Sequence, residues 1–170
     1  MTDSFEFREV THFTAGAVGE PGQRVFYLQV GDAIDMVTVK LEKQQVEALA
    51  KFLKGVLDDL PDSTEPTSAM PLTEPAQPRW TVGQIAVGVD EAESRVVLVI
   101  EELVATDGDE DELDELLDEP DGSKIQAHIG VVHAANFIAT SDELMSKGRP
   151  PCRLCGQPLD PSGHACPRLN

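Results

Sequence analysis

No stretch of this chain of 170 residues approaches the roughly eighteen consecutive apolar residues that a membrane-crossing helix needs. A bilayer span is therefore not expected. The opening Met1-Thr2-Asp3-Ser4-Phe5-Glu6 also lacks the basic and apolar regions of a secretory signal, so a cytoplasmic protein is expected. Missing too are a phosphate-cradling glycine loop ending in Lys and a hydroxyl residue, a G-x-G-x-x-G turn after a strand, a G-x-S-x-G elbow and an H-E-x-x-H helix. Each supplies the geometry of a large enzyme class, and without them no catalytic residue stands out. His12, His128 and His133 are scattered and read as surface or hydrogen-bonded structural histidines. Glu101 and Glu102, adjacent on a strand, would point to opposite faces, which does not suit paired acid–base work.

Positive charge is scarce. Thirteen Lys and Arg stand against 31 Asp and Glu, a formal net charge of −18. No cation occurs between Arg95 and Lys124, while twelve of the 31 acids fall between Glu101 and Asp121. A run of this kind cannot be buried without a large desolvation cost, so residues 107–122 read as a solvated acidic loop. A body this acidic repels the phosphate backbone, and direct duplex binding is not expected. The tail is the exception, with Lys147, Arg149, Arg153 and Arg168 against Asp160 alone. A weak nucleic-acid reading stays open for it.

Cysteine is scarcer still, and its placement is informative. The three cysteines, Cys152, Cys155 and Cys166, form with His164 a C-x2-C-x8-H-x-C pattern. Zinc takes a tetrahedral shell of thiolates and imidazoles, and two cysteines separated by two residues can curl onto one ion. Gly156 permits the tight turn after the second cysteine, and Asp160-Pro161-Ser162-Gly163 can reverse the chain to deliver the second pair. Four protein ligands would leave no position for water or substrate, so the expected ion is structural Zn2+. The alternative is a reactive dithiol of Cys152 and Cys155, with His164 an ordinary turn residue.

The remainder, with 41% hydrophobic residues overall, suffices for one ordinary core. It repeats itself. Phe13-Thr14-Ala15-Gly16-Ala17-Val18 lines up with Trp80-Thr81-Val82-Gly83-Gln84-Ile85, and Arg24-Val25-Phe26-Tyr27-Leu28 with Arg95-Val96-Val97-Leu98-Val99. Turns at Gly19-Glu20-Pro21-Gly22 and Asp90-Glu91-Ala92-Glu93 make each pair a hairpin. A third strand follows in each half, at 36–41 and 124–130. Helices come next, around 42–57 with Val46, Leu49, Leu53, Val56 and Leu57 on one face, and around 131–147 with Ala134, Phe137, Ile138, Leu144 and Met145.

The expected fold is α+β: two β-β-β-α repeats, about 5–60 and 79–147, packed as one domain over 1–147 with mainly antiparallel sheet. A small zinc-binding tail, 148–170, follows. The segment 58–78 holds five of the twelve prolines and reads as an irregular linker, most clearly over 61–78. It and the acidic loop are expected to be the least ordered internal segments. The loop interrupts the second repeat between its second and third strands, where the first has only Gly31-Asp32-Ala33. Its Leu113, Leu116 and Leu117 could form a helical turn on docking to a partner.

Phe13-Thr14-Ala15-Gly16-Ala17-Val18-Gly19-Glu20-Pro21-Gly22-Gln23-Arg24, Leu41-Glu42-Lys43-Gln44-Gln45-Val46 and Gly148-Arg149-Pro150-Pro151-Cys152-Arg153-Leu154-Cys155-Gly156 resemble a largely uncharacterised actinobacterial family of repeat proteins, the ParJ family. The likeness spans nearly the whole chain, though Gly130-Val131-Val132-His133 departs from the family's Pro-Ala-Gln helix start. It implies association with ParA, the chromosome-partition ATPase whose polymerisation such proteins are said to restrain. It also implies a shared pathway with a histidine-phosphatase-like and a lipid-kinase-like protein. A non-enzymatic regulatory binding protein is expected, its acidic loop meeting a basic partner surface. The alternative is a ligand- or phosphate-binding protein, or an enzyme, with a site between the repeats where Arg24 and Arg95 converge on an anion.

Overall fold

The alternating runs fold as strands, and the computed structural model describes residues 2–60, 65–105, 122–159 and 163–169. In chain order the elements are β1 (Ser4–Phe7), β2 (His12–Val18), β3 (Val25–Gly31), β4 (Met36–Leu41), α1 (Lys43–Asp59), β5 (Val82–Asp90), β6 (Arg95–Glu102), β7 (Lys124–Gly130) and α2 (Val131–Ser146). They form an α+β fold with sheets ordered β2-β3-β4 and β1-β7-β6-β5. Side chains alternate across a strand, so one face of each sheet is apolar. Phe26, Leu28 and Val30 stand opposite Leu41, Val39 and Val37, all buried. Val96, Leu98 and Ile100 stand opposite Ile129, Ala127 and Ile125 in the same way. Among the described residues no helix is long and apolar enough to cross a membrane.

The helices close the core. Glu42 and Gln45 form a capping box at the start of α1, the Gln45 side chain accepting from the Glu42 N–H at 2.8 Å. The helix buries Val46, Leu49, Ala50 and Leu53, while Val56 and Leu57 pack partly buried. From α2, Ala134 and Phe137 are buried, and Ile138, Leu144 and Met145 pack at the margin.

The two halves interlock, which the sequence does not reveal. The short β1 leads into β2 yet pairs in parallel with β7 of the other half, Phe7 opposite Ala127. In return Thr81, leading into β5, bridges in parallel to Lys40 of β4, and the Lys40 N–H donates to Trp80 at 2.9 Å. The helices cross as well. Phe137 of α2 stacks on Phe13 of β2 with centroids 4.4 Å apart, and Gln45 of α1 reaches the Val82 carbonyl at 3.3 Å. Each half thus completes the other's sheet and core.

Pairing register corrects the residue-level alignment of the repeats. Leu41 and Ile129 each precede the cap of a helix; Leu41 pairs with Phe26 and so with Ala17, Ile129 with Val96 and so with Val89. By that count Phe13 corresponds to Ile85 and Gly16 to Gly88. Trp80 occupies the place of Phe7, and both are buried. The second hairpin is longer and carries a bulge between Val82 and Gln84, which shifts the strand against its sequence look-alike.

The described part of the linker, 65–78, has no helix or strand, as expected, but it is tied down rather than free. It crosses the outer face of β2-β3-β4, where Thr14, Gln29 and Thr38 are buried polar residues. The Gln29 amide donates to the Thr73 carbonyl at 2.9 Å and to the Thr38 hydroxyl at 3.2 Å, and accepts from the Thr73 N–H at 2.8 Å. The Thr14 hydroxyl donates to the Met70 carbonyl. Leu72 lies so close over Gly16 that a Cβ there would collide with it. Gln29→Ala is therefore expected to cost about 3 kcal/mol, since each buried partner left unsatisfied costs about 1–3 kcal/mol. A lower urea midpoint at unchanged slope would show it. A shift below the measurement error would mean that water replaces the amide.

The expected loop 107–122 lies, but for Gly122, outside the described residues. Its ends are closed by Glu102 N–H to Ser123 carbonyl at 2.8 Å and Ser123 N–H to the Glu102 carboxylate at 2.9 Å.

Candidate metal centre

Past α2 the chain makes a small turn-rich tail. Pro151 and Pro158 form an antiparallel bridge, the Leu159 N–H donates to Pro150 at 2.9 Å, and the Cys152 N–H donates to Gln157 at 2.7 Å. Inside this loop the Gly156 N–H returns to the Cys152 carbonyl at 2.8 Å. Gly156 has φ of 74°, the left-handed conformation that glycine adopts without steric cost. The turn carries the two cysteine sulfurs to one side. Gly163, also at positive φ, leads into His164, while 160–162 of the expected second turn lie outside the described residues.

All four expected ligands converge. The sulfurs of Cys152, Cys155 and Cys166 and a ring nitrogen of His164 lie within 4.8 Å of one another. Cys152 Sγ is 3.9 Å from Cys166 Sγ, and Cys155 Sγ is 3.2 Å from His164 Nε2. A tetrahedral ion with metal–sulfur bonds near 2.3 Å and metal–nitrogen bonds near 2.0 Å requires edges of about 3.8 and about 3.5 Å. The donors are thus spaced to hold a metal ion, and none of the cysteines is in a disulfide.

The thiol of Cys152 is poised for it. Backbone N–H groups of Cys155 and Leu154 favour the Cys152 thiolate and lower its pKa to about 6. For Cys155 the Gln157 N–H acts in the same direction, but burial and the Cys152 and Cys166 sulfurs outweigh it and raise the pKa. Three sulfurs crowded together cannot all ionise without a cation among them.

The other expected site residues do not assemble. Arg24 donates to the Lys147 carbonyl at the C-terminal end of α2, whereas Arg95 pairs with Gly130 at its N-terminal end and donates to the Arg8 carbonyl at 2.6 Å. Sixteen helical residues separate these ends, about 24 Å. The expected convergence of Arg24 and Arg95 on one anion is therefore overturned, the offset between the hairpins having made them look equivalent. His12 is held by Gln29 at 3.1 Å. His128 meets Asp90 and Glu93, a cluster the sequence did not suggest because β7 brings the histidine to the β5–β6 turn. There Asp90 accepts from the turn N–H groups of Ala92 and Glu93, and Glu93 lies 3.8 Å from Arg95.

A family described as protein of unknown function (DUF3090) matches residues 5–166. The chain belongs to that family. The DUF3090 match takes in both halves, the linker and all four candidate ligands. No curated protein and no solved structure matches the chain.

Proposed function

We propose that this DUF3090 protein is a non-enzymatic regulatory binding module stapled by one structural zinc ion. The observation that carries this reading is the closed donor set of Cys152, Cys155, His164 and Cys166. Three soft thiolates and one imidazole at tetrahedral spacing suit zinc, and four protein ligands leave no open position for a substrate. With three thiolates the centre is net negative, so it adds no positive charge for a nucleic acid.

The candidate partner is a ParA-type chromosome-partition ATPase, and the regulated event its polymerisation. Two things support it: the likeness to the ParJ family, and a net charge of −18 facing an ATPase class that presents basic surfaces to DNA. The test mixes the zinc-loaded chain with a purified ParA-type ATPase and follows polymerisation by light scattering. Slower or less extensive polymerisation is expected. Unchanged polymerisation with no complex on sedimentation would refute the partner and leave the zinc staple standing.

A further inference from the structure

Three stretches far apart in sequence close around one cavity of about 200 Å³: the β2–β3 turn, the first residue of α1, and the segment joining α2 to the metal tail. Arg24, Lys43 and Arg149 all line it, and among the described residues no carboxylate does. In a chain with thirteen cations and 31 acids, that grouping runs against the overall charge. We propose that this cavity binds the phosphoryl group of a small phosphorylated metabolite.

The cations are held in place before any ligand arrives. Arg24 uses one N–H on the Lys147 carbonyl, which fixes the guanidinium plane and leaves further donors of its fork. Arg149 is positioned by the turn beneath it. Gly22 has φ of 94°, and a Cβ built there would lie 3.3 Å from the Arg149 guanidinium carbon. The positive φ favours glycine, and a side chain there would press on the arginine that lies across the turn. Lys43 lies 3.8 Å from Glu47, both about half exposed, a pair weak enough to yield to a phosphoryl dianion. As the first residue of α1, Lys43 also sits at the positive end of that helix.

Size and the remaining walls narrow the ligand. Phe26 and Leu144 supply an apolar side. The volume falls below the roughly 300–1,000 Å³ of pockets for drug-sized ligands. A phosphoryl group with a few carbon atoms fits that space, and a nucleotide does not. The chain's net charge of −18 also disfavours a polyphosphate over a single phosphoryl group.

Calorimetric titration of the full zinc-loaded chain tests this, with inorganic phosphate and glycerol 3-phosphate as probes at constant ionic strength and with glycerol and chloride as controls. Saturable 1:1 binding of both phosphates is expected, glycerol 3-phosphate the tighter, with no response to the controls. Lys43→Gln and Arg149→Gln should each weaken binding about tenfold or more, the effect of losing one hydrogen bond to a charged group. Lys43 is exposed enough that its variant should fold, and its unfolding midpoint checks that. Absence of saturation at millimolar phosphate, or saturation that both variants leave unchanged, overturns the site. Tighter binding of free phosphate than of glycerol 3-phosphate overturns the metabolite.

Discussion

Stripping the metal should unfold the tail and leave the two-repeat body standing. The tail contributes nothing to the main core; its single buried apolar residue among those described is Cys166, itself a ligand. A few backbone bonds within 150–159 cannot offset the entropy of ordering it, about 1–2 kcal/mol per residue for the backbone alone. Structural zinc supplies about 10–16 kcal/mol in small modules of this kind. The body draws on the interlocked sheets and the Phe13–Phe137 stack, none of which touches the ligands. Elemental analysis should find about one zinc per chain. A chelator, or Cys155→Ser, should abolish amide protection over 150–169 and shift the body's unfolding by no more than about 0.5 kcal/mol, the range of changes remote from a core. Acid should do the same. Ligation needs deprotonated thiols, so affinity falls as pH falls, first as Cys155 with its raised pKa holds its proton and then, near pH 6, as Cys152 takes one up. More than one thiol competes with the metal, so the loss should exceed tenfold per pH unit below about 6. Protein purified without chelator that contains no metal would sink this account, as would a body that unfolds together with the tail.

The candidate ligands were legible because their geometry is local. A two-residue spacing, a glycine and a turn bring four donors together within one short stretch, and no distant contact is needed. The element types and the buried faces of the helices were legible for a related reason, since periods of two and 3.6 are properties of each element by itself. What escaped the sequence was the register of the repeats and every contact between the two halves. Strand alternation repeats every two residues, so Phe13-Thr14-Ala15-Gly16 could be laid on Trp80-Thr81-Val82-Gly83 without conflict. The register then depended on a bulge and a hairpin length that only pairing reveals. With only four residues and a partner in the other half, β1 carries no local signal. Gln29 lies on the β3 face away from the main core, and that Thr73 of a proline-rich linker covers it follows from the path of the chain. Lys43 and Arg149 come together only once α1 and the end of α2 are placed beside the first hairpin.

If the acidic surface works by steering a basic partner, association with a ParA-type ATPase should depend steeply on salt. Exposed charges farther apart than about 8 Å are largely screened at physiological ionic strength, so the attraction is strong at low salt and fades as salt rises. Asp109, Glu110, Asp111, Glu112, Asp114 and Glu115 concentrate the charge in a segment outside the described residues. Steering raises encounter rates by about 10- to 1,000-fold, and it acts before short-range contacts form. Replacing these six acids with their amides should therefore slow association by about tenfold or more while dissociation changes little. Replacing the zinc ligands should leave the encounter intact, because the ligated centre carries a small part of the total charge; a slowed encounter in that variant would instead place the tail in the interface. Stopped-flow association measured across a salt series, with the wild-type chain and the six-amide variant, separates these outcomes. Complex formation indifferent both to salt and to the amide substitutions would remove electrostatic steering as the mechanism, since contacts made after docking respond to neither.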